Sequence, residues 1–322
     1  MKRKGNLYPS IYDFNNIISA YNEVCRNTRN ERRVENLKEY KSVYISRIHN
    51  ILKNKQYRVG SYNKFIIYEP KKRLIVSQNV QDKIINHLVA RYILYPAILP
   101  CLLDVNVASR KDMGTRKGLE LASYFHQKCI IKYSTYYILK CDISKFFANI
   151  NHDILKNKLL RRIKDKDALK IVFDIIDSNT DGLFIGSMTS QILAIFYLND
   201  LDHFIKKKLK IKYYIRYQDD FLLFHPSKDY LKYCLNEISN FLSSEKLSLN
   251  NKTRIYNSHD NFIFLGRNCL GNPCKYRGVK RKIKHKIALY NKNKISLRSV
   301  TSTIICYKSH YPNMFIDDTA LF

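Results

Sequence analysis

The sequence predicts an α+β protein, and three observations carry that prediction. Residues 1–60 are strongly charged and place Ile11, Phe14, Ile17, Ile18 and Tyr21 at helical spacing. Two pairs of short runs rich in β-branched and aromatic residues flank polar breaks, at 63–76 and 213–224, which is a hairpin pattern. Helical patterns near 80–103, 116–128, 192–209 and 229–245 separate the strand candidates, and no internal repeat or Gly/Ser/Pro-rich linker divides them.

Composition narrows the function classes. A chain of 322 residues can bury a sizeable core, and a hydrophobic fraction of 45% excludes wholesale disorder. The formal net charge is +30, with Lys and Arg spread from Lys2 to Lys308. Such a surplus repels itself in the compact state, so a polyanionic partner is the natural expectation. Twenty-five Tyr and sixteen Phe lie among the cations, a mixture suited to stacking and clamping single-stranded nucleic acid. No long amphipathic helix with a basic face argues for a membrane surface. No stretch reaches the roughly 18 apolar residues of a membrane span; the best, Tyr92 to Leu103, is interrupted by Pro96 and Pro100. The start, Met1 to Asn6, has no signal-peptide core. Eight scattered Cys form no framework, and Cys269 and Cys274 stand too far apart for a zinc knuckle, which fits free thiols in a reducing cytoplasm.

Taken in order, the first strand pair turns at Pro70-Lys71-Lys72-Arg73, either a solvated basic turn or a clamp for phosphate oxygens. The helix from Val80 carries Lys83 and the apolar side Ile84, Ile85, Leu88, Val89 and Ile93. A loop, Asn106 to Thr115, presents a second basic pair, Arg110 and Lys111. An apolar strand, Tyr136 to Ile143, ends at Asp142, which either caps the helix starting near His152 or serves chemistry. The polar segment Asp181 to Gln191 leads into the next helix, with Thr189 or Ser190 as cap or as a neighbour of a bound nucleotide. In the second hairpin, Tyr217-Gln218-Asp219-Asp220 puts two adjacent carboxylates at the tip. They are either ordinary turn residues or a seat for a hard divalent cation such as Mg²⁺. Leu247 to Ile255 and Asn261 to Gly266 read as strands, and the chain turns markedly basic from Lys275 to Arg298.

This order of pieces resembles the reverse transcriptases. The strand carrying Asp142, the segment ending Thr189-Ser190-Gln191, the Tyr-x-Asp-Asp hairpin, the Lys252 turn and Phe264-Leu265-Gly266 look like their successive palm motifs. The basic hairpin at Arg73 and the loop at Arg110 look like the fingers motifs before them, so the likeness spans about residues 60–267. It implies a right-hand polymerase fold. Fingers and N-terminal helices would occupy 1–135, a palm with an antiparallel sheet 136–267 with finger helices inserted near 151–180, and a small basic, helical thumb 268–322. The form Ile185-Gly186-Ser187-Met188-Thr189-Ser190-Gln191 is similar to the bacterial and phage enzymes of diversity-generating retroelements and to retron-like and abortive-infection antiphage relatives. Two departures bear on that subdivision: Ala148-Asn149 stands where the diversity-generating group has Pro-Ser, and Arg267-Asn268-Cys269-Leu270 replaces its Phe-Pro-Thr-His-type segment.

The resemblance also implies roles. Asp142 and Asp219 would bridge two Mg²⁺ ions, with Mn²⁺ as a substitute, Asp220 would support the primer end, and the Ile143 carbonyl would be a further ligand. Phe147 would exclude a 2′-hydroxyl, Gln191 and Arg73 would contact the incoming dNTP, and Lys252 would protonate pyrophosphate. Phe264, Leu265 and Gly266 would form the primer grip, and Lys71, Lys72, Lys83, Arg110 and Lys111 would bind template phosphates. The expected partners are an RNA template such as a structured noncoding RNA, a DNA primer and an accessory protein or second polymerase subunit, with no membrane, in the cytoplasm of a bacterial host. Two other readings are a defence polymerase making untemplated or noncoding-RNA-templated repeat DNA, and a noncatalytic, maturase-like RNA-binding protein.

Overall fold

Helices pack on both sides of a four-stranded antiparallel sheet in the computed structural model, which describes residues 2–28, 31–67, 73–260, 262–268 and 277–310. The described chain divides into two compact units, Met1–Lys64 with Val76–Asp260, and Phe65–Ile75 with Asn261–Phe322.

In the first unit, helices α1 (Phe14–Asn27), α2 (Glu31–Glu39) and α3 (Lys41–Lys53) precede a hairpin, β1 (Asn63–Ile67) and β2 (Arg73–Ser77), through which the division between units runs. Asp13 caps α1 by accepting from Asn16 N, the arrangement that satisfies an otherwise orphaned amide. The N-terminal segment is pinned by Asp165, whose Oδ2 accepts from Leu7 N at 2.7 Å and Tyr8 N at 2.9 Å.

The apolar run after residue 80 forms α4 (Val80–Val89), one π turn and α5 (Tyr95–Ile98). As one helical stretch, Val80–Cys101 is long and apolar enough by composition to cross a membrane, contrary to the sequence expectation. The prolines do not interrupt it, because Pro96 falls at the start of α5 and Pro100 at the start of the following 3₁₀ turn, where a missing N–H costs little. Most of it is buried inside the protein, with Ile84, Ile85, Leu88, Val89 and Ile93 fully enclosed, each contributing about 2 kcal/mol of burial.

After α6 (Thr115–Lys132) comes β3 (Tyr137–Asp142), then α7 (Phe146–Asn149), α8 (His152–Leu160), α9 (Lys166–Asp177), α10 (Met188–Tyr197) and α11 (Asn199–His203). The helix expected over 192–209 breaks at Leu198 and ends in a π turn, Phe204–Lys208. Strands β4 (Tyr213–Tyr217) and β5 (Asp220–His225) form the second hairpin, followed by α12 (Lys228–Ser244) and β6 (Arg254–Asn257). The sheet order is β4-β5-β3-β6. Strand β5, inside the sheet, is covered on both faces, which explains why it reads Phe221-Leu222-Leu223-Phe224 without alternation. Cys141, Phe221 and Leu223 share a core with Cys234, Ile238 and Leu242 of α12. On the other face, Phe125 of α6 meets Tyr213 and Phe224, covering the end of the sheet opposite Asp142 and Asp220.

The second unit holds a two-residue hairpin, β7 (Ile263–Phe264) and β8 (Arg267–Asn268), and two helices, α13 (Arg277–Asn291) and α14 (Leu297–His310). Leu265 and Gly266 both take positive φ, 50° and 80°, as a type I′ hairpin turn demands. Helix α13 is basic and amphipathic, a pattern the sequence reading missed; its apolar side, Ile283 with Ile287, is covered by Tyr307 and Ile304 of α14. Cys25, Cys101, Cys129, Cys141 and Cys234 are free thiols, and Cys269 and Cys274 lie outside the described residues.

Candidate active site

Two carboxylates come together through sheet register. Strand β3 pairs antiparallel with β5 so that Asp142 lies directly opposite Asp220. Paired residues project to the same side of a sheet, so both carboxylates occupy one face at its open end. Asp219 sits in the two-residue connection between β4 and β5, behind Gln218, whose φ of 54° places it in the left-handed region. All three Asp are partly exposed.

The backbone at Asp142 is held from the opposite side. Asn250 N donates to Asp142 O at 2.7 Å, and Ser144 N donates to Ser248 O at 2.9 Å. Ile143 faces Leu249 between those two bonds. The ladder therefore uses the groups on either side of Ile143, and among the described backbone bonds none reaches its carbonyl. Lys252 is exposed in the turn Asn250–Thr253, whose first residue bonds Asp142.

Lys140 is the cation of the site. It lies two residues before Asp142 on the same face, and its Nζ is 2.6 Å from Asp220 Oδ1. Among the described residues no three His, Cys, Asp or Glu side chains already converge on a single metal position. The donor set nevertheless suits Mg²⁺, which keeps several waters and is held by one or two carboxylates together with substrate phosphates rather than by an all-protein cage.

The chain next to Asp142 turns sharply at Lys145, φ 44°, into the single-turn helix α7. Phe146 is buried, and Phe147 is half-buried against it, edge-on at 5.6 Å. Phe147 O accepts from Leu183 N at 2.7 Å, so the 181–191 segment is tied to that turn. Gly182, φ 62°, makes this approach feasible: a Cβ there would stand 2.2 Å from Phe147 O. Thr189 and Ser190 do not cap α10 as expected; the N-cap is Ser187, without a side-chain cap bond. The reason is that Ser187 and Thr189 both direct their hydroxyls to Asn86 Oδ1 of α4. Gln191 is exposed in the first turn of a helix otherwise buried from Thr189 to Tyr197.

Arg110 is turned inward. Its Nη1 donates to Leu103 O and Asn106 O, and its Nη2 to Asp104, so it braces its own loop. Lys111 is exposed, and Lys83 is half-buried on α4. Arg73 begins β2, Phe264 is buried, and Leu265 and Gly266 form the turn of the β7–β8 hairpin in the second unit. Lys71 and Lys72 lie outside the described residues.

Sequence reasoning missed the buried support of the Asp219 turn. Arg216 and Asp202 are both fully enclosed, with Arg216 Nε 2.7 Å from Asp202 Oδ1 and Nη2 2.5 Å from Oδ2. Tyr214 Oη donates to the same carboxylate at 2.7 Å. Burial works against the guanidinium's charge, but Asp202 outweighs it and raises the Arg216 pKa above its ordinary value. A clue was present: Arg216 interrupts a strand otherwise built of Tyr and Ile.

A family model described as reverse transcriptase (RNA-dependent DNA polymerase) matches residues 38–269. The chain is 24% identical over 269 residues to the retron Ec48 reverse transcriptase of Escherichia coli, covering 77% of this chain and 60% of that protein. It is 30% identical over 117 residues to a putative COX1/OXI3 intron 2 protein of Saccharomyces cerevisiae, covering 33% of this chain and 14% of the other. Among solved structures, telomerase of Candida albicans in complex with a fragment of telomeric RNA aligns with a TM-score of 0.52 and 14% identity, covering 86% of this chain and 60% of that one. An apo telomerase of Candida tropicalis aligns with a TM-score of 0.51 and 16% identity, covering 68% and 57%. These alignments agree with the right-hand fold. With the family model spanning the sheet, the paired carboxylates and the helices before them, the chain belongs to the reverse transcriptase family.

Proposed function

We propose that this chain is an RNA-directed DNA polymerase that extends a DNA primer with dNTPs on an RNA template, using two Mg²⁺ ions. The observation that carries the reading is the register of Asp142 against Asp220, with Asp219 in the turn beside them. Asp142 and Asp219 would hold the ions with the Ile143 carbonyl, and Asp220, neutralised by Lys140, would support the primer end. Bound there, the ions would supply charge stabilisation for both the attacking and the leaving oxygen.

The primer 3′-oxygen bonds the α-phosphorus while the α–β phosphoanhydride breaks, and pyrophosphate departs. Lys252, exposed in the turn whose Asn250 N bonds Asp142 O, would give the leaving oxygen its proton. Phe147 would crowd a 2′-hydroxyl, and Gln191 would offer its amide to the nucleotide. Arg73 would hold the triphosphate, Leu265 and Gly266 the primer, and Lys71, Lys72, Lys83 and Lys111 template phosphates. Arg110 serves better as a brace for its loop than as a phosphate ligand, because three of its five donors are engaged within that loop.

The net charge of +30 favours a polyanionic partner; we take it to be an RNA template such as a structured noncoding RNA, in the cytoplasm of a bacterial host, within a retroelement or antiphage system. The likeness to a retron reverse transcriptase supports that setting. The chain spans 60% of that relative's length. An accessory protein is a further part of the proposal. Incubating the protein with a primed RNA, dNTPs and Mg²⁺ tests the reading. Extension that stops when Mg²⁺ is chelated supports it, and no incorporation with either Mg²⁺ or Mn²⁺ overturns it.

A further inference from the structure

We infer that Arg216 is a positioning residue for the polymerase reaction: through its buried pairing with Asp202 it fixes the peptide plane from which Asp219 projects. The inference rests on the proposed polymerase reading and concerns residues outside the reacting set.

Arg216 spends its fork in three directions. Nε and Nη2 close a two-bond pair with Asp202 of α11, and Nη2 also donates to Ile195 O of α10 at 3.1 Å. The remaining arm, Nη1, donates to Gln218 O at 3.0 Å. That carbonyl belongs to the peptide joining Gln218 to Asp219. A rigid planar fork held on one side by a carboxylate therefore grips the turn on the other. Gln218 needs such a grip, because it is a non-glycine residue in left-handed backbone.

A second set of bonds reaches the same turn from the loop at 103–110. Arg216 N donates to Val105 O at 2.8 Å and Val107 N donates to Arg216 O at 3.0 Å, a parallel bridge that joins Asn106 to the outer edge of β4. From the same loop Ser109 Oγ accepts from Gln218 Nε2 at 2.9 Å. Gln218 is thus held at its carbonyl by Arg216 and at its side chain by Ser109. The inward turn of Arg110 gains a purpose here, since it fastens the loop that carries Ser109.

A merely structural ion pair would lose activity only in proportion to folding. A positioning pair loses turnover in a protein that is still folded, because a displacement of about 1 Å at a reacting group can cost on the order of 100-fold. Two variants separate these cases. In the first, Asp202→Leu, Arg216→Met and Tyr214→Phe together replace the buried polar set with apolar side chains, a change that proteins often tolerate. In the second, Arg216→Lys keeps the charge and loses the fork.

Three readouts are compared with the wild type: the thermal midpoint, kcat against KM for dNTP on a primed RNA, and the Mg²⁺ concentration that half-saturates thermal stabilisation. The expected result is a kcat about 100-fold lower in each folded variant, a dNTP KM within about threefold, and a higher Mg²⁺ midpoint. Wild-type kcat in either folded variant overturns the inference. If the triple variant does not fold, Arg216→Lys decides. If the wild type itself polymerises nothing, the polymerase reading fails, and the Mg²⁺ midpoints still judge the positioning claim: equal midpoints refute it.

Discussion

Lys140 Nζ stands 2.6 Å from Asp220 Oδ1 across two neighbouring strands, with Asp142 directly opposite Asp220 on the same face. One cation therefore offsets part of the repulsion between facing carboxylates, which otherwise destabilise a strand pair. Lys140→Met should lower stability in metal-free buffer by roughly 1 kcal/mol. The same variant should respond to Mg²⁺ at a severalfold lower concentration, since the ion no longer competes with the Lys140 ammonium for Asp220. Thermal melts across a Mg²⁺ series check both statements. An unchanged Mg²⁺ response would show that Lys140 and the ion do not share Asp220.

Gly182 governs how closely the 181–191 segment approaches Phe147. Its φ of 62° and the 2.2 Å from a built Cβ to Phe147 O mean that Gly182→Ala must displace one partner or the other. We expect a loss of about 1–3 kcal/mol in stability and a weaker preference for dNTP over rNTP. The ratio of kcat/KM for the two nucleotides measures the second effect. Retained discrimination in the folded variant would detach Phe147's placement from Gly182.

Acid should loosen the N-terminal docking. Partial burial raises the Asp165 pKa, but backbone N–H groups of Tyr8, Ala168, Leu7 and Asp167 pull harder, and the net value lies below the ordinary 3.8. A depressed carboxylate stabilises fully above its unfolded pKa and loses that contribution as pH falls through the lower folded value. The effect therefore belongs below about pH 4. Asp165→Asn should melt earlier than the wild type at pH 7, with the gap narrowing toward pH 3. A constant gap across that range would contradict the assignment.

Salt should weaken RNA binding steeply. A chain of net charge +30 that neutralises several phosphates displaces their counterions, so log affinity should fall linearly with log salt. Filter binding from 50 to 200 mM salt, roughly the range in which such contacts lose orders of magnitude, measures the slope. A flat response would remove phosphate contact as the purpose of the charge.

The strand ends at Asp142 and Asp219-Asp220 were legible because β-branched and aromatic runs flank them and because hairpin register follows from a two-residue connection. The core helix from Val80 was legible as apolar, but its length was not, since Pro96 and Pro100 look like breaks until they are seen at helix starts. Lys140 could have been found from period-two spacing alone. Arg216 stood out as the one charged letter in a strand of Tyr and Ile, but its pairing with Asp202 and the role of Asn86 were not legible, because these partners lie 14 to 103 residues away and a charged letter reads as surface until burial is known. The helix cap was misplaced for the same reason: the hydroxyls of Ser187 and Thr189 are claimed by Asn86, a tertiary contact that local capping preference cannot anticipate.

The most direct test of the central claim is primer extension on RNA by Asp219→Ala beside the wild type, with folding monitored by thermal melting. Asp219 lies in a partly exposed turn outside the buried core, so the variant should melt near the wild type and extend nothing in Mg²⁺ or Mn²⁺. Magnesium-dependent extension at the wild-type rate by folded Asp219→Ala would contradict the assignment of these carboxylates as the seat of DNA synthesis.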